Sequence, residues 1–193
     1  MLFNVRALAS PATARAHPDW DRLYETAASQ AGYFTLGQAQ EAGYSAPLLQ
    51  HHIARGRVER VARGILRLVH FPPGDNEDLV IAWLWSGRAG VFSHETALFL
   101  HQLSDALPAI KHLTVPESWA RRRLKVPAGV RLCFTDVPKA DRSWKGPFPV
   151  TSPLRTLRDC ARDGVSPEVL ADAKSDALRR GLVAAARLRR ALP

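Results

Sequence analysis

The chain has 193 residues, of which 46% are hydrophobic, and this content is enough for one ordinary domain or two small ones. It excludes a disordered chain. Because 27 Lys and Arg stand against 18 Asp and Glu, the formal net charge is +9. Such an excess favours a polyanionic partner, nucleic acid first and an anionic membrane surface second.

The two cysteines, Cys133 and Cys160, are too few for a disulfide framework or a four-ligand zinc site. The first ten residues lack the basic region and the unbroken apolar region of a secretion signal. The longest apolar run, Leu79–Trp85, is far shorter than the roughly 20 residues that cross a bilayer. These features predict a cytoplasmic protein without a membrane partner.

The N-terminal third of the sequence predicts three short helices. Residues 1–18 are rich in Ala and Pro and are expected to form an irregular segment. Asp19 is a suitable N-cap for a first helix that ends before Gly32. Caps and closing glycines then predict a second helix over 36–42 and a third over 46–55.

After the third helix the hydrophobic period changes from 3.6 to 2. Alternation over Val58–Arg63 and a β-branched and Leu-rich run over Ile65–Val69 predict two strands, with Arg63 and Gly64 in the turn between them. Three helices followed by a hairpin predict a winged helix-turn-helix over residues 19–70, with the hairpin as the wing.

A domain boundary is predicted at Phe71–Gly74, a run rich in proline and glycine. Residues 1–70 hold 8 basic and 5 acidic groups, whereas residues 71–110 hold 1 and 5. The second domain, over 75–193, is expected to be mixed α/β, which makes the whole chain α+β. Its predicted helices are 75–86, 93–101, 153–162, 167–180 and 183–192, and its predicted strands are 111–116 and 130–135.

The strongest functional signal is the placement of polar and basic residues on the third helix and the wing. In a winged helix, the second helix of the motif enters the major groove and the wing lies along the backbone or the minor groove. The residues expected to contact duplex DNA are Ser45, Gln50, His51, Arg55, Arg57, Arg60, Arg63 and Arg67. The alternative is a solvated basic face on a winged helix that binds protein.

A second basic run in the C-terminal domain consists of Arg121, Arg122, Arg123 and Lys125. It is expected either to extend the nucleic-acid surface, to bind an acidic protein, or to be an ordinary solvated loop.

Several groups of residues are candidates for a metal site or a catalytic site. His94 and His101 are seven residues apart, whereas zinc sites on one helix use pairs three or four apart, so a capped helix is favoured over a metal site. Asp136, Lys139 and Asp141 resemble a nuclease set but lack a Glu-x-Lys strand motif. No phosphate loop or nucleophile elbow is present, so no catalytic residue, metal or cofactor is predicted. A nucleic-acid-processing enzyme with a winged-helix targeting domain is the alternative.

The residues also resemble a known family. Gly32-Tyr-Phe-Thr35, Gly43-Tyr-Ser45, Leu48–Gly56 and Val58–Leu68 are similar to the N-terminal winged helix of the AbiEi antitoxins. Phe92–Ala97, Leu100–Leu103, His112–Pro116 and Thr151–Leu157 followed by Asp159 are similar to blocks of the antitoxin domain. The sequence departs from the family in Leu66, where an aromatic residue is more common.

The resemblance implies a transcriptional repressor that binds inverted repeats in its own promoter through the winged helix. It also implies that the C-terminal domain counters a nucleotidyltransferase-like toxin encoded beside it, by a type IV mechanism without a stable complex. Longer relatives carry an appended nuclease-type domain, whereas this sequence ends soon after the predicted helices of Pro167–Leu192, so no catalytic site is expected by inheritance. A third alternative is an interaction module that binds the toxin directly through its basic faces.

Overall fold

The computed structural model describes residues 17–105 and 108–192. The predicted irregular segment over 1–18 therefore lies outside the described residues, apart from His17 and Pro18, which form no helix or strand.

The three N-terminal helices form where their cap residues predict them. They are α1 (Trp20–Ala28), α2 (Leu36–Glu41) and α3 (Ala46–Ala54). The Asp19 carboxylate caps α1 by accepting a hydrogen bond from the Arg22 N–H at 2.9 Å. Thr35 and Gln38 form a reciprocal capping box at the start of α2, so two N–H groups that the helix leaves free are satisfied.

The first sheet has three antiparallel strands in the order β1-β3-β2. They are β1 (Tyr33–Thr35), β2 (Val58–Ala62) and β3 (Ile65–Leu68). The hairpin was predicted, whereas β1 was not, because three residues are too few to show a period of 2. Phe34, Leu66 and Leu68 face a core with the three helices. Residues 20–68 are called the N-terminal unit below.

The described residues between 77 and 191 are called the C-terminal unit below. Its helices are α4 (Glu77–Trp85), α5 (His94–Leu100), α6 (Pro153–Arg162), α7 (Pro167–Arg179) and α8 (Ala185–Ala191). Its strands are β4 (Val91–Phe92), β5 (Lys111–Val115), β6 (Val130–Phe134), β7 (Arg142–Lys145) and β8 (Phe148–Thr151). The strand order is β6-β5-β4-β8-β7, with β4–β8 and β5–β6 parallel. The predicted α+β class is confirmed.

The two units share part of their core. Phe92, Leu113 and Phe148 of the second sheet pack with α4, and Tyr33 and Ile65 of the first sheet belong to the same cluster. A separate apolar cluster lies among α5, α6, α7 and α8. The predicted boundary over 71–74 is an irregular segment between the units, but α4 packs against the back of the first sheet.

Candidate nucleic-acid interface

The turn between α2 and α3 presents the N-terminus of α3 to solvent. Gly43 makes the turn with φ +84°, and Tyr44 is buried behind it. The exposed Ser45 caps α3, where its hydroxyl accepts a hydrogen bond from the Leu48 N–H at 3.4 Å. Because the first N–H groups of a helix point outward with a positive partial charge, this end of α3 suits a phosphate oxygen.

The outer face of α3 carries the predicted base-contacting residues. Leu49 anchors the helix in the core with 2% of its surface exposed. Gln50, His51 and Arg55 are all exposed, so the structure places these three side chains on the solvent side of the helix. Amide, imidazole and guanidinium groups can all donate hydrogen bonds to base edges.

An aromatic contact that the sequence did not reveal ties α3 to α1. The ring of His52 stacks on Trp20 at a centroid distance of 5.5 Å, and Tyr44 meets His52 edge-on at the same distance. Burial lowers the pKa of His52, and the nearby Arg57 lowers it further. His52 therefore favours its neutral form and acts as a packing residue behind the exposed face of α3.

Three exposed arginines lie at the hairpin that is predicted to be the wing: Arg57 immediately before β2, Arg60 within β2, and Arg63 in the turn. Arg63 precedes Gly64 in the hairpin turn, and Gly64 has φ +76°. The register of β2 against β3 shifts between Arg60 and Ala62, so β2 does not keep the regular alternation that the sequence predicts. Such a bulge twists a hairpin locally.

Arg67 has surroundings unlike those of the other predicted contacts. Its side chain is only 14% exposed, and its guanidinium pairs with Glu59 at 3.2 Å and with Glu77 at 3.5 Å. It also donates to the carbonyl oxygen of Phe71 at 2.9 Å and lies 5.7 Å from the centre of the Tyr33 ring. The Arg67 guanidinium is therefore engaged within the protein, and Arg67 is not expected to contact DNA.

The alternation of side chains along β3 could have shown from the sequence that Arg67 differs from the other predicted DNA-contacting residues. Leu66 and Leu68 face the core of the N-terminal unit, so Ile65 and Arg67 must point to the opposite face. That face is the one covered by α4, which supplies Glu77.

The interface is strongly positive once Arg67 is set aside. Within residues 17–105 and 108–192, the structure shows no ion pair for Arg55, Arg57, Arg60 or Arg63. Glu59, the single acidic residue between Ser45 and His70, is paired with Arg67. Four uncompensated charges therefore lie on α3's end and the wing.

The basic run Arg121, Arg122, Arg123 and Lys125 is exposed in the loop between β5 and β6 of the C-terminal unit. Arg122 lies over the Trp119 ring at 4.7 Å, which fixes one of the four side chains. These residues belong to a different unit from α3 and the wing.

The histidines that were weighed as a metal site are separated. His101 lies at the end of α5, where its Nε2 is 2.7 Å from the carbonyl oxygen of Thr151. His94 instead meets His112, with ring centroids 5.4 Å apart, and its Nδ1 lies 2.9 Å from the Ser93 hydroxyl and 3.8 Å from the Cys133 sulfur. In the described part of the chain, no three His, Cys, Asp or Glu side chains are arranged to hold a metal ion.

The carboxylates that resemble a nuclease set have structural partners. Asp141 pairs with Arg155 at 3.4 Å and with Arg158 at 3.6 Å. Asp136 accepts a hydrogen bond from the Glu117 N–H at 3.3 Å. The two carboxylates are thus occupied in different local contacts.

A comparison with known families matches residues 21–69 to the family described as "Transcriptional regulator, AbiEi antitoxin". Over these residues the N-terminal unit is similar to the AbiEi antitoxin family of transcriptional regulators. The matched segment holds most of α1, all of α2 and α3, and the β2–β3 hairpin, so it contains every residue of the candidate interface. A comparison with curated proteins gives no match to the chain. None of the helices in the described ranges has the length and apolar character that crossing a membrane requires.

Proposed function

We propose that this protein is a transcriptional repressor of the AbiEi antitoxin family, and that it binds inverted repeats in its own promoter through a winged helix-turn-helix. The observation that supports this most is the set of four exposed arginines beside the polar outer face of α3, none of which has an ion pair among the described residues: Arg55, Arg57, Arg60 and Arg63. Sequence-specific readers combine such phosphate contacts with polar side chains that reach base edges.

Each element has a distinct role in this proposal. Gln50 and His51 enter the major groove and contact base edges, with Arg55 at the end of the helix. The Ser45 end of α3 holds a phosphate. Arg57 and Arg60 neutralise the backbone, and Arg63 at the wing tip reaches the minor groove.

The proposal is tested by titrating the purified protein on its own upstream region and on a scrambled duplex of equal length, at about 50 and about 200 mM salt. We expect binding to the upstream duplex to be tighter by about three orders of magnitude or more. In the triple variant Arg55→Ala, Arg60→Ala and Arg63→Ala, affinity should fall and the slope of log affinity against log salt should become shallower by about 2 to 3.

A matched control removes the same number of charges elsewhere. Arg187, Arg189 and Arg190 are exposed on α8, and replacing all three with alanine lowers the net charge equally. If both triple variants lose affinity to the same extent, the +9 charge attracts polyanions in general and the proposed interface is wrong. Equal binding of the wild-type protein to both duplexes would also overturn the repressor proposal.

The C-terminal unit is proposed to act as an antitoxin toward a nucleotidyltransferase-like protein encoded beside this gene. Two findings support this proposal. Residues 21–69 match the AbiEi antitoxin family, and three segments of the C-terminal unit resemble blocks of the antitoxin domain: Phe92–Ala97, His112–Pro116 and Thr151–Leu157. The basis of action is proposed to be type IV, without a stable complex of the two proteins.

Co-expression with the neighbouring gene from unrelated promoters tests this second half. The Arg55, Arg60 and Arg63 triple variant should restore growth as well as the wild-type protein, because the protection is assigned to the other unit. Loss of protection at equal protein level would show that DNA binding is needed. Co-elution of the two proteins would instead favour a module that grips the toxin.

A further inference from the structure

Arg67 joins segments from both units of the molecule. Its guanidinium contacts Glu59 of β2, Glu77 in the first turn of α4, and the carbonyl oxygen of Phe71 in the connecting segment. The ring of Tyr33 in β1 lies beneath it. One side chain thus links two strands of the first sheet, the connection and the first helix of the C-terminal unit.

The connection between the units is held at both ends. Arg67 donates to Phe71 O at 2.9 Å, and the Gly74 N–H donates to the Glu77 carboxylate at 3.2 Å. The Phe71 ring lies so close to Gly32 that a Cβ there would come within 2.6 Å of it. A proline-rich segment that resembles a free tether in sequence is therefore fixed against both units.

We infer that Arg67 is a positioning residue, which with Glu77 fixes the wing to the C-terminal unit and so couples DNA binding to that unit. The inference rests on the proposed function for its DNA-binding half. Since β3 carries both Arg67 and one side of the wing, a change in the Arg67–Glu77 contact changes the support of the wing. Coupling of this kind is reciprocal, so DNA binding also acts on the C-terminal unit.

For the substitution Glu77→Gln, the positioning role and simple electrostatics predict opposite changes in DNA affinity. Replacing Glu77 with Gln removes a negative charge from a protein that binds a polyanion, so simple electrostatics predicts tighter DNA binding. If Glu77 instead holds Arg67 in place, the same change weakens binding. Arg67→Lys adds a second test, because Lys keeps the charge but lacks the planar fork that contacts several partners at once.

The experiment compares full-length wild-type protein with Glu77→Gln, Arg67→Lys and the control Asp75→Asn. Asp75 is exposed two residues before Glu77, so the control removes the same charge from the same segment. We expect Glu77→Gln to bind the upstream duplex about 2- to 30-fold more weakly than the charge-matched control Asp75→Asn, with an unchanged salt slope. Arg67→Lys keeps the wild-type charge and should bind more weakly than wild-type protein by a similar factor. A merely electrostatic role would not give this pattern.

A second measurement needs no DNA. It is hydrogen exchange over residues 71–76. Pro72 and Pro73 have no amide hydrogen, so the exchanging amides of this segment are those of Phe71, Gly74, Asp75 and Asn76. Their exchange should be faster in Glu77→Gln and Arg67→Lys than in Asp75→Asn. A neutral amide oxygen accepts from the Gly74 N–H more weakly than the Glu77 carboxylate does, and a lysine lacks the guanidinium fork that joins Glu77 to the Phe71 carbonyl. If wild-type protein does not prefer its upstream duplex, the repressor proposal fails, and exchange alone then decides whether Arg67 fixes the connection.

The inference is overturned by any of three results. Unchanged exchange over 71–76 in both variants means that the connection is not held by this contact. Faster exchange with unchanged DNA affinity means that the contact does not support the wing. A salt slope that becomes shallower by about 0.9 in a charge-removing Arg67→Gln variant means that Arg67 contacts phosphate directly.

Discussion

Gly32 lies in the turn between α1 and β1, with φ +87° and its N–H bonded to the carbonyl oxygen of Ala27 at 2.7 Å. Its own carbonyl accepts a hydrogen bond from the Leu68 N–H at 3.0 Å. The Phe71 ring occupies the space where a side chain would stand. Both the backbone conformation and the close approach of Phe71 therefore require glycine here.

Gly32→Ala is expected to be more destabilising than Gly64→Ala. Gly64 also has a positive φ, +76°, but a Cβ there meets nothing within 4 Å, so it carries only the cost of the left-handed backbone, about 1–2 kcal/mol. At Gly32 the displacement of Phe71 adds about 1–3 kcal/mol. Urea unfolding of both variants measures the difference, and equal losses would show that Phe71 moves aside without cost.

At the scale of elements, α6 packs a largely polar face inward. Arg155 and Asp159 are almost completely buried, and the Arg155 Nε lies 2.8 Å from both oxygens of the Asp159 carboxylate. Thr156, also buried, contacts Thr151 of β8 through their hydroxyl oxygens at 2.7 Å. The helix is thus held by oriented polar contacts as well as by Leu157.

Arg155→Ala is expected to lower the free energy of unfolding by about 3–5 kcal/mol, because it leaves the buried Asp159 carboxylate without its partner. Arg162→Ala on the same helix is the control, since Arg162 is exposed and its loss should change stability by less than about 0.5 kcal/mol. Urea unfolding compares the two. Similar small losses in both variants would mean that water satisfies the Asp159 carboxylate once Arg155 is removed.

The elements that the sequence predicted well are those with caps and several turns. α3 begins at the residue after its predicted cap, Ser45, and α6 forms over the range 153–162 that helical periodicity predicts. The strands of the C-terminal unit that were not predicted do not show a hydrophobic period of 2. β4 has two residues, β8 is buried at all four positions, and β7 has Trp144 as its single apolar residue, so none alternates between apolar and polar residues. Their pairing depends on neighbours that are distant in the sequence.

For the molecule as a whole, the order of the N-terminal elements and the exposed positions of α3 could be derived from periodicity and caps. The junction could not, because Glu77 and Arg67 are ten residues apart and meet only when α4 folds back on the first sheet. The hydroxyl of Tyr33 is affected by the same contact between the first sheet and α4. Burial and a hydrogen bond with Glu77 raise its pKa to about 12.

Three histidines of the C-terminal unit give the whole molecule a pH-dependent stability. His101 and His112 are buried, and His94 packs against His112. Burial lowers the pKa of all three, and the neighbouring His94 lowers the pKa of His112 further. The folded protein therefore keeps them neutral at a pH where the unfolded chain, with a histidine pKa of about 6.5, takes up protons.

Because the unfolded state binds more protons, stability should be constant with respect to these groups above pH of about 6.5 and should fall as the pH drops below it. Each histidine contributes at most about 1.4 kcal/mol per pH unit. Urea unfolding at a series of pH values between about 5.5 and 7.5 measures the slope. His101→Gln, in which the amide N–H can still donate to the Thr151 carbonyl, should reduce the slope, whereas His51→Gln on the exposed face of α3 should leave it unchanged. If both variants keep the full slope, protonation of His101 does not drive the loss, and the carboxylate pairs of the C-terminal unit become the groups to test.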